Sequence, residues 1–259
     1  DIRAVRATLI LAEVIDEADR WTGGDTIVVQ VGDQLDRGDD EQEIVDLFED
    51  LSDQAWAAGG GFFPLVGNHE TMNVGLNFGY VTAGGWLDFA DIPYDEGDPQ
   101  LNLYPAEQRG RVAAMRPGGI YARIFAEHNM VMIVGDTLFA HGGLLPQHLV
   151  MGLDEMNRRV QAWMRGEGPI PDTINSAEGV VWNRFYSSGT SAMDCARLSQ
   201  VLSALEVDRI VVAHTVQPQG INSACGETAW RVDVGLSNHY GGRPQALEIV
   251  GDAVRTLGP

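Results

Sequence analysis

With 259 residues, 44% of them hydrophobic, the chain is long enough to bury a sizeable core as one domain. Its net charge of −20 argues against acidic partners: no nucleic-acid backbone and no anionic membrane surface is expected, unless bound cations reverse the local field. No apolar run reaches transmembrane length, and the two cysteines, Cys195 and Cys225, make no disulfide framework.

In chain order, "AVRATLILAEVIDEA" spaces apolar residues by three and four, which predicts a helix over 2–17. Its acids and the lack of a cleavage pattern do not fit a secretory leader. "TIVVQV" reads as a short buried strand ending at Gly32. A helix over "EQEIVDLFEDLSDQAWAAG" is stopped by the glycines at 59–61. "GFFPLVG" is a second strand, ending at Gly67. Helix, strand, helix, strand defines an α/β unit. Residues 71–125 lose this rhythm and read as a cap-like insertion over the sheet's loop edge. The stretch 105–128 is helical with a break at Pro117-Gly118-Gly119. "NMVMIVGDTLFAHGG" is a hairpin-like strand pair, and helical spacing returns at 147–166. "NSAEGVVWNRFYS" reads as loop and strand edge, and "CARLSQVLSALEVD" as a helix. "RIVVAHT" and "AWRVDVGLS" are strands, and "PQALEIVGDAVRTL" is a closing strand pair. The cysteines read as two ordinary thiols, with a single disulfide or redox switch as the alternative that spacing does not decide.

Four of the apolar strands are followed at once by residues of metal-binding type: "VVQVGDQLDRG", "FFPLVGNHE", "LFAHGG" and "RIVVAHT". Ligands of open α/β sheets gather at the carboxyl edge of the strands. If the four share that edge, Asp33, Asn68, His141 and His214 converge. Their carboxylate, amide and imidazole atoms suit a divalent ion such as Mn, Fe or Zn, and they lack the thiolates of a closed structural zinc site. Taken one at a time, each cluster has a plainer account as a turn, a polar loop or a core histidine. Arg37 supplies a planar guanidinium beside Asp33, fit to grip a phosphate with two hydrogen bonds. Asp36 is spaced to face His69 from the neighbouring loop, as a carboxylate holding a proton-transfer histidine. Asp39 and Asp40 read as solvated acids at the start of the next helix.

These stretches resemble the calcineurin-like metallophosphoesterases, the protein-phosphatase branch in particular, with features matched from residue 28 to 249. "WNR" at 182–184 and "VDVGLSNHYGG" at 232–242 are most like the Shewanella-like protein phosphatases. The resemblance implies a two-layer β-sandwich flanked by helices, with two divalent metal ions at one edge. By family pattern Asp33 bridges both metals, and Asn68, His141 and His214 bind the second. His69, supported by Asp36, donates a proton to the leaving oxygen. Arg37 and Arg184 hold the phosphate, and Tyr240 either lines the pocket or packs a turn. The expected activity is phosphomonoester hydrolysis by direct attack of a metal-bridging hydroxide. The expected partner is a phosphoprotein or phosphopeptide carrying phosphotyrosine, phosphoserine or phosphothreonine. The family's Asp-x-His motif and its strand do not occur in the 259 residues. The opening "DIRAVRATL" resembles the segment that follows that motif, so an amino-terminal piece is expected upstream. Two other readings stand beside this one. One is a bis-nucleoside polyphosphate hydrolase; the other is a non-catalytic adaptor or inactive truncated form lacking the first metal. The compartment, cytoplasmic or organellar, is left open.

Overall fold

The computed structural model describes residues 1–258. Helix α1 (Ile2–Leu11) leads to strand β1 (Ile27–Gln30), helix α2 (Glu41–Ala57) and strand β2 (Gly61–Pro64). β1 and β2 are parallel, with α2 as the crossover that parallel pairing requires. α1 is shorter than its periodicity predicts. The chain turns left-handed at Glu13 (φ 58°), and Val14 and Ile15 are buried instead of extending the helix. Ile2 and Leu9 of α1 and Ile44, Leu47, Phe48 and Leu51 of α2 form one core with Phe62, covering the outer face of the β1–β2 pair.

Helix α3 (Asn68–Val74) follows β2 directly, and α4 (Ala83–Asp88), α5 (Arg109–Met115) and α6 (Ile120–Phe125) fill the predicted insertion. The break between α5 and α6 falls at Pro117–Gly119, where the sequence places it. The aromatics of this segment pack mainly on one another: Phe78 meets Trp86 edge-on at 5.0 Å, and buried Phe89 meets Tyr121 at 4.9 Å.

Strands β3 (Val131–Val134) and β4 (Thr137–Ala140) form the expected hairpin. Helices α7 (Leu153–Met164) and α8 (Ala192–Leu205) precede β5 (Arg209–Val212), β6 (Asn222–Ala224) and β7 (Ala229–Arg231). These strands make one mixed sheet in the order β3-β4-β5-β7-β6, with β4, β5 and β7 parallel. The closing hairpin is β8 (Ala246–Val250) and β9 (Ala253–Leu257). Side chains of β1, β4, β5, β7 and β8 meet between the layers, around Val31, Leu65, Val211 and Ala213. The stretch 175–187, predicted to touch a strand edge, is turns alone, because its Val180 carbonyl caps the backbone N–H groups of Gly142 and Gly143. The cysteines are not free thiols. The first turn of α8 lies against the β6–β7 turn with the two Cα atoms 5.2 Å apart, and Cys195 and Cys225 form a disulfide.

Candidate active site

The site is built where the carboxyl ends of β1, β2, β4 and β5 meet. Two glycines allow this. A Cβ on Gly32 would stand 2.7 Å from the Gly67 backbone, and one on Gly67 would stand 2.3 Å from Asp33 Oδ1. Only glycine lets the two loops cross so closely. Glu70 then fastens them. Its fully buried carboxylate accepts the backbone N–H of Gly67 (2.7 Å), Asp33 (2.9 Å), Gln34 (2.7 Å) and Leu35 (3.2 Å). Sequence reading passed over this residue. Its signal was a glutamate three places after Gly67, the residue that caps α3, the spacing of a helix cap. Asn68 and His69 stand in the first turn of α3, not in a loop as predicted; Glu70 accepts the N–H of the cap residue Gly67, and Asp33 Oδ1 accepts that of His69. Asp33 (φ 60°), Asp36 (φ 70°), Arg37 (φ 56°) and His214 (φ 64°) all take left-handed backbone. Such non-glycine conformations cost of order 1–3 kcal/mol each and gather at functional sites.

The four predicted ligands come together. Asp33, His141 and His214 present ligand atoms that all lie within 4.8 Å of one another. His141 Nε2 is 3.1 Å from Asp33 Oδ2 and 3.0 Å from Asn68 Oδ1. His141 Nδ1 donates to the Val31 carbonyl at 2.7 Å, which turns Nε2 toward the cluster. The strand tips are tied as well: Ala213 N–H donates to the His141 carbonyl at 2.8 Å. His214 Nε2 is buried with no hydrogen-bond partner. Buried polar atoms are nearly always paired, so this nitrogen marks a place for a ligand. An orphaned imidazole nitrogen beside a carboxylate, an amide oxygen and a second imidazole fits a divalent cation. Burial, His141 and Arg184 push His214 down to about 3, keeping its ring neutral as a metal ligand must be. Burial alone would lower His141, yet the Asp33 carboxylate outweighs it and holds the ring up at about 9. Asp33 is moved the opposite way: burial would raise it, but the charge of His141 takes it well below the usual carboxylate range.

His69 stands next to this cluster. Its Nδ1 lies 2.5 Å from Asp36 Oδ2, and its backbone N–H donates to Asp33 Oδ1 at 3.1 Å. Arg37 Nη1 is 2.9 Å from His69 Nε2. A guanidinium only donates, so Nε2 accepts here and Nδ1–H is given to Asp36. Burial would lower His69, but Asp36 and Asp33 raise it above the ordinary histidine value. The Arg37 guanidinium lies 4.3 Å from the Tyr80 ring centroid and 5.3 Å from that of Tyr240. Arg184 Nη1 donates to the His214 carbonyl and to Thr215 Oγ1 (2.8 Å), beside the ligand cluster. Asp33, Asn68, His69, Arg37, Arg184 and Tyr240 border a single cavity of about 1040 Å³, which continues between the layers past Val29, Phe139, Val211 and Leu247. Tyr80, an aromatic of the inserted segment, borders it too. Asp39 is exposed, as expected of a solvated acid, and its carboxylate accepts the hydroxyl proton of Thr82, which also caps α4.

Carboxylate, amide and imidazole groups at strand tips, with arginines beside them, define a metallophosphoesterase site, and comparison agrees: the chain belongs to the calcineurin-like phosphoesterase family, whose profile matches residues 9–218. The family binds divalent metals, and membership makes the chain a hydrolase. It is 38% identical to Shewanella-like protein phosphatase 2 of Arabidopsis thaliana over 98% of the chain and 73% of that protein. It is 25% identical to Shewanella-like protein phosphatase 1 of Plasmodium berghei over 93% of the chain and 66% of that protein. The crystal structure of the cold-active protein-tyrosine phosphatase of a psychrophilic Shewanella species shares the fold. Its TM-score is 0.76 at 24% identity, with 99% of this chain and 77% of that one covered.

Proposed function

We propose that the chain removes phosphate from phosphoproteins, acting on phosphotyrosine, phosphoserine or phosphothreonine at the cluster around Asp33. The observation that carries this reading is the meeting of Asp33, Asn68, His141 and His214 with the Arg37–His69–Asp36 row in one cavity. The names of the relatives support the protein substrate. Asp33, Asn68, His141 and His214 would hold one cation of the Mn, Fe or Zn kind, and Asp33 would be shared with a second. When bound, such cations supply positive charge to the phosphoryl oxygens and acidify water.

The remaining steps belong to side chains. Arg37 turns its guanidinium from His69 to the phosphoryl oxygens, with Arg184 on the other side. This frees His69 Nε2, which takes a proton and faces the leaving oxygen. Asp36 holds Nδ1–H and stabilises the imidazolium until the proton passes to the departing alkoxide or phenolate. Cysteine chemistry is not available to this site, since Cys195 and Cys225, the only cysteines, are bonded to each other. The test compares hydrolysis of a phosphopeptide with that of a dinucleoside tetraphosphate in Mn²⁺. Release of phosphate from the peptide with little from the dinucleotide is expected; the reverse preference would replace the protein substrate by a nucleotide. Metal content measured on the same sample adds a second check: two divalent ions per chain support catalysis, and one or none supports the adaptor or the form lacking the first metal.

A further inference from the structure

Arg111 belongs to none of the strand-tip motifs. It lies in α5, within the inserted segment, and it is completely buried. A guanidinium stays charged inside a protein, so its charge must be matched where it sits. Nη1 pairs with the Glu41 carboxylate and donates to the Gly85 carbonyl at 2.8 Å. Nε and Nη2 both donate to Asn73 Oδ1, at 3.1 and 2.8 Å. Nη2 is also 3.6 Å from Asp36 Oδ1, and the Phe89 ring covers the guanidinium at 4.8 Å.

Two routes lead from this guanidinium to His69. The first runs through an amide. Because Arg111 occupies Asn73 Oδ1, the Asn73 amide nitrogen faces the other way. There it donates to Asp36 Oδ1 (3.2 Å) and to the His69 carbonyl (2.9 Å). The second runs through charge. Asp36 and Glu41 are two buried carboxylates joined by the Asp36 N–H, which donates to Glu41 Oε1 at 2.7 Å. Burial holds Glu41 up at about 7 even with Arg111 beside it. Without Arg111, neither carboxylate would keep a cationic partner on that side. Asp36 therefore has Oδ1 fixed by Asn73 and Arg111, and Oδ2 aimed at His69 Nδ1.

We infer that Arg111 is a positioning residue, set from the inserted segment, that fixes the Asp36–His69 pair through Asn73 and Asp36. The catalytic consequence rests on the phosphatase reading; the geometric claim does not. Accordingly the test has two arms. In the first, NMR of ¹⁵N-histidine-labelled protein follows the His69 Nδ1–H resonance, assigned by its loss in His69→Asn. In Arg111→Met the signal is expected to disappear, or to exchange with water at least about tenfold faster, while far-UV circular dichroism stays native. The paired variant Glu41→Gln/Arg111→Met leaves Glu41 with no unmatched charge, and covers failure of the single variant to fold. An unchanged resonance in whichever variant folds overturns the inference. In the second arm, Arg111→Met is expected to lose about 10–100-fold in kcat/KM on a phosphoserine peptide, the range for residues that orient a working group. It is expected to lose much less on p-nitrophenyl phosphate. Combined with His69→Ala it should cost little beyond His69→Ala alone. Equal losses on both substrates, or independent multiplication of the two defects, would reduce Arg111 to a structural residue. Should His69→Ala itself show no dependence on the leaving group, the acid role of His69 fails, and the resonance still decides the role of Arg111.

Discussion

His214 keeps a buried ring nitrogen without a partner, while Arg111, Glu41, Asn73 and Asp36 pair with one another. Both groups are polar, buried and brought together from distant parts of the chain. The unsaturated group has room for a ligand, because an orphaned buried atom is costly until something binds it. The saturated group has no such room and serves as a rigid support. Pairing, more than polarity, separates the surface that acts from the surface that holds it in place.

Substitutions on the unsaturated side should remove activity and spare the fold. Asp33→Asn or His141→Ala is expected to lower phosphatase turnover by at least about a thousandfold, the loss of several kcal/mol of charge stabilisation. Far-UV circular dichroism should stay native, and bound metal should fall; full activity in Asp33→Asn would break the comparison. His69→Ala should cost about 10²–10³-fold on phosphoserine peptides, the scale of one lost donor to the transition state. Activated aryl phosphates need less proton donation and should suffer less.

The scaffold should answer in the opposite sense. Cys195→Ser/Cys225→Ser opens a link across 30 residues of sequence and is expected to cost roughly 3 kcal/mol of stability. The melting temperature should fall by about 6–12 °C at unchanged kcat/KM. A loss of catalysis before any loss of stability would tie the disulfide to the site. The smallest expected effect is at His148, which is buried and accepts the Leu145 N–H at Nδ1 (3.1 Å). Burial lowers its folded-state value below the ordinary 6.5, outweighing the pull of Glu178 toward protonation. The unfolded chain therefore binds the extra proton first, and stability falls as pH drops below 6.5. His148→Gln should flatten the decline in melting temperature between about pH 7 and 5, within the reach of an ordinary histidine titration; an unaltered slope would assign that decline to other groups.

The strand-tip motifs were legible because each is local. An apolar strand followed at once by Gly-Asp, Gly-Asn or Ala-His announces itself within a few residues, and the parallel pairing of β1 with β2 and of β4 with β5 did the rest. Helix α3 was not legible. Its seven residues are all buried, and Asn68, His69, Glu70, Thr71 and Asn73 give it no apolar stripe. Arg111 was hidden for a different reason: its partner Glu41 is 70 residues away, and a helical reading of its segment does not tell which charged side chain is turned inward. The disulfide joins residues whose spacing says nothing of their proximity, and three-residue β6 carries too little pattern to read. α1 was overextended because its apolar spacing continues past the left-handed turn at Glu13.

The bond from Ala213 N–H to the His141 carbonyl makes the two imidazoles neighbours on one rung of the sheet. Cations of unequal radius therefore meet donors whose backbones cannot spread apart without breaking that rung, so accommodation falls to rotation about the histidine side-chain bonds. Exchange of one ion for another should alter affinity and rate while leaving the strand spacing as it is.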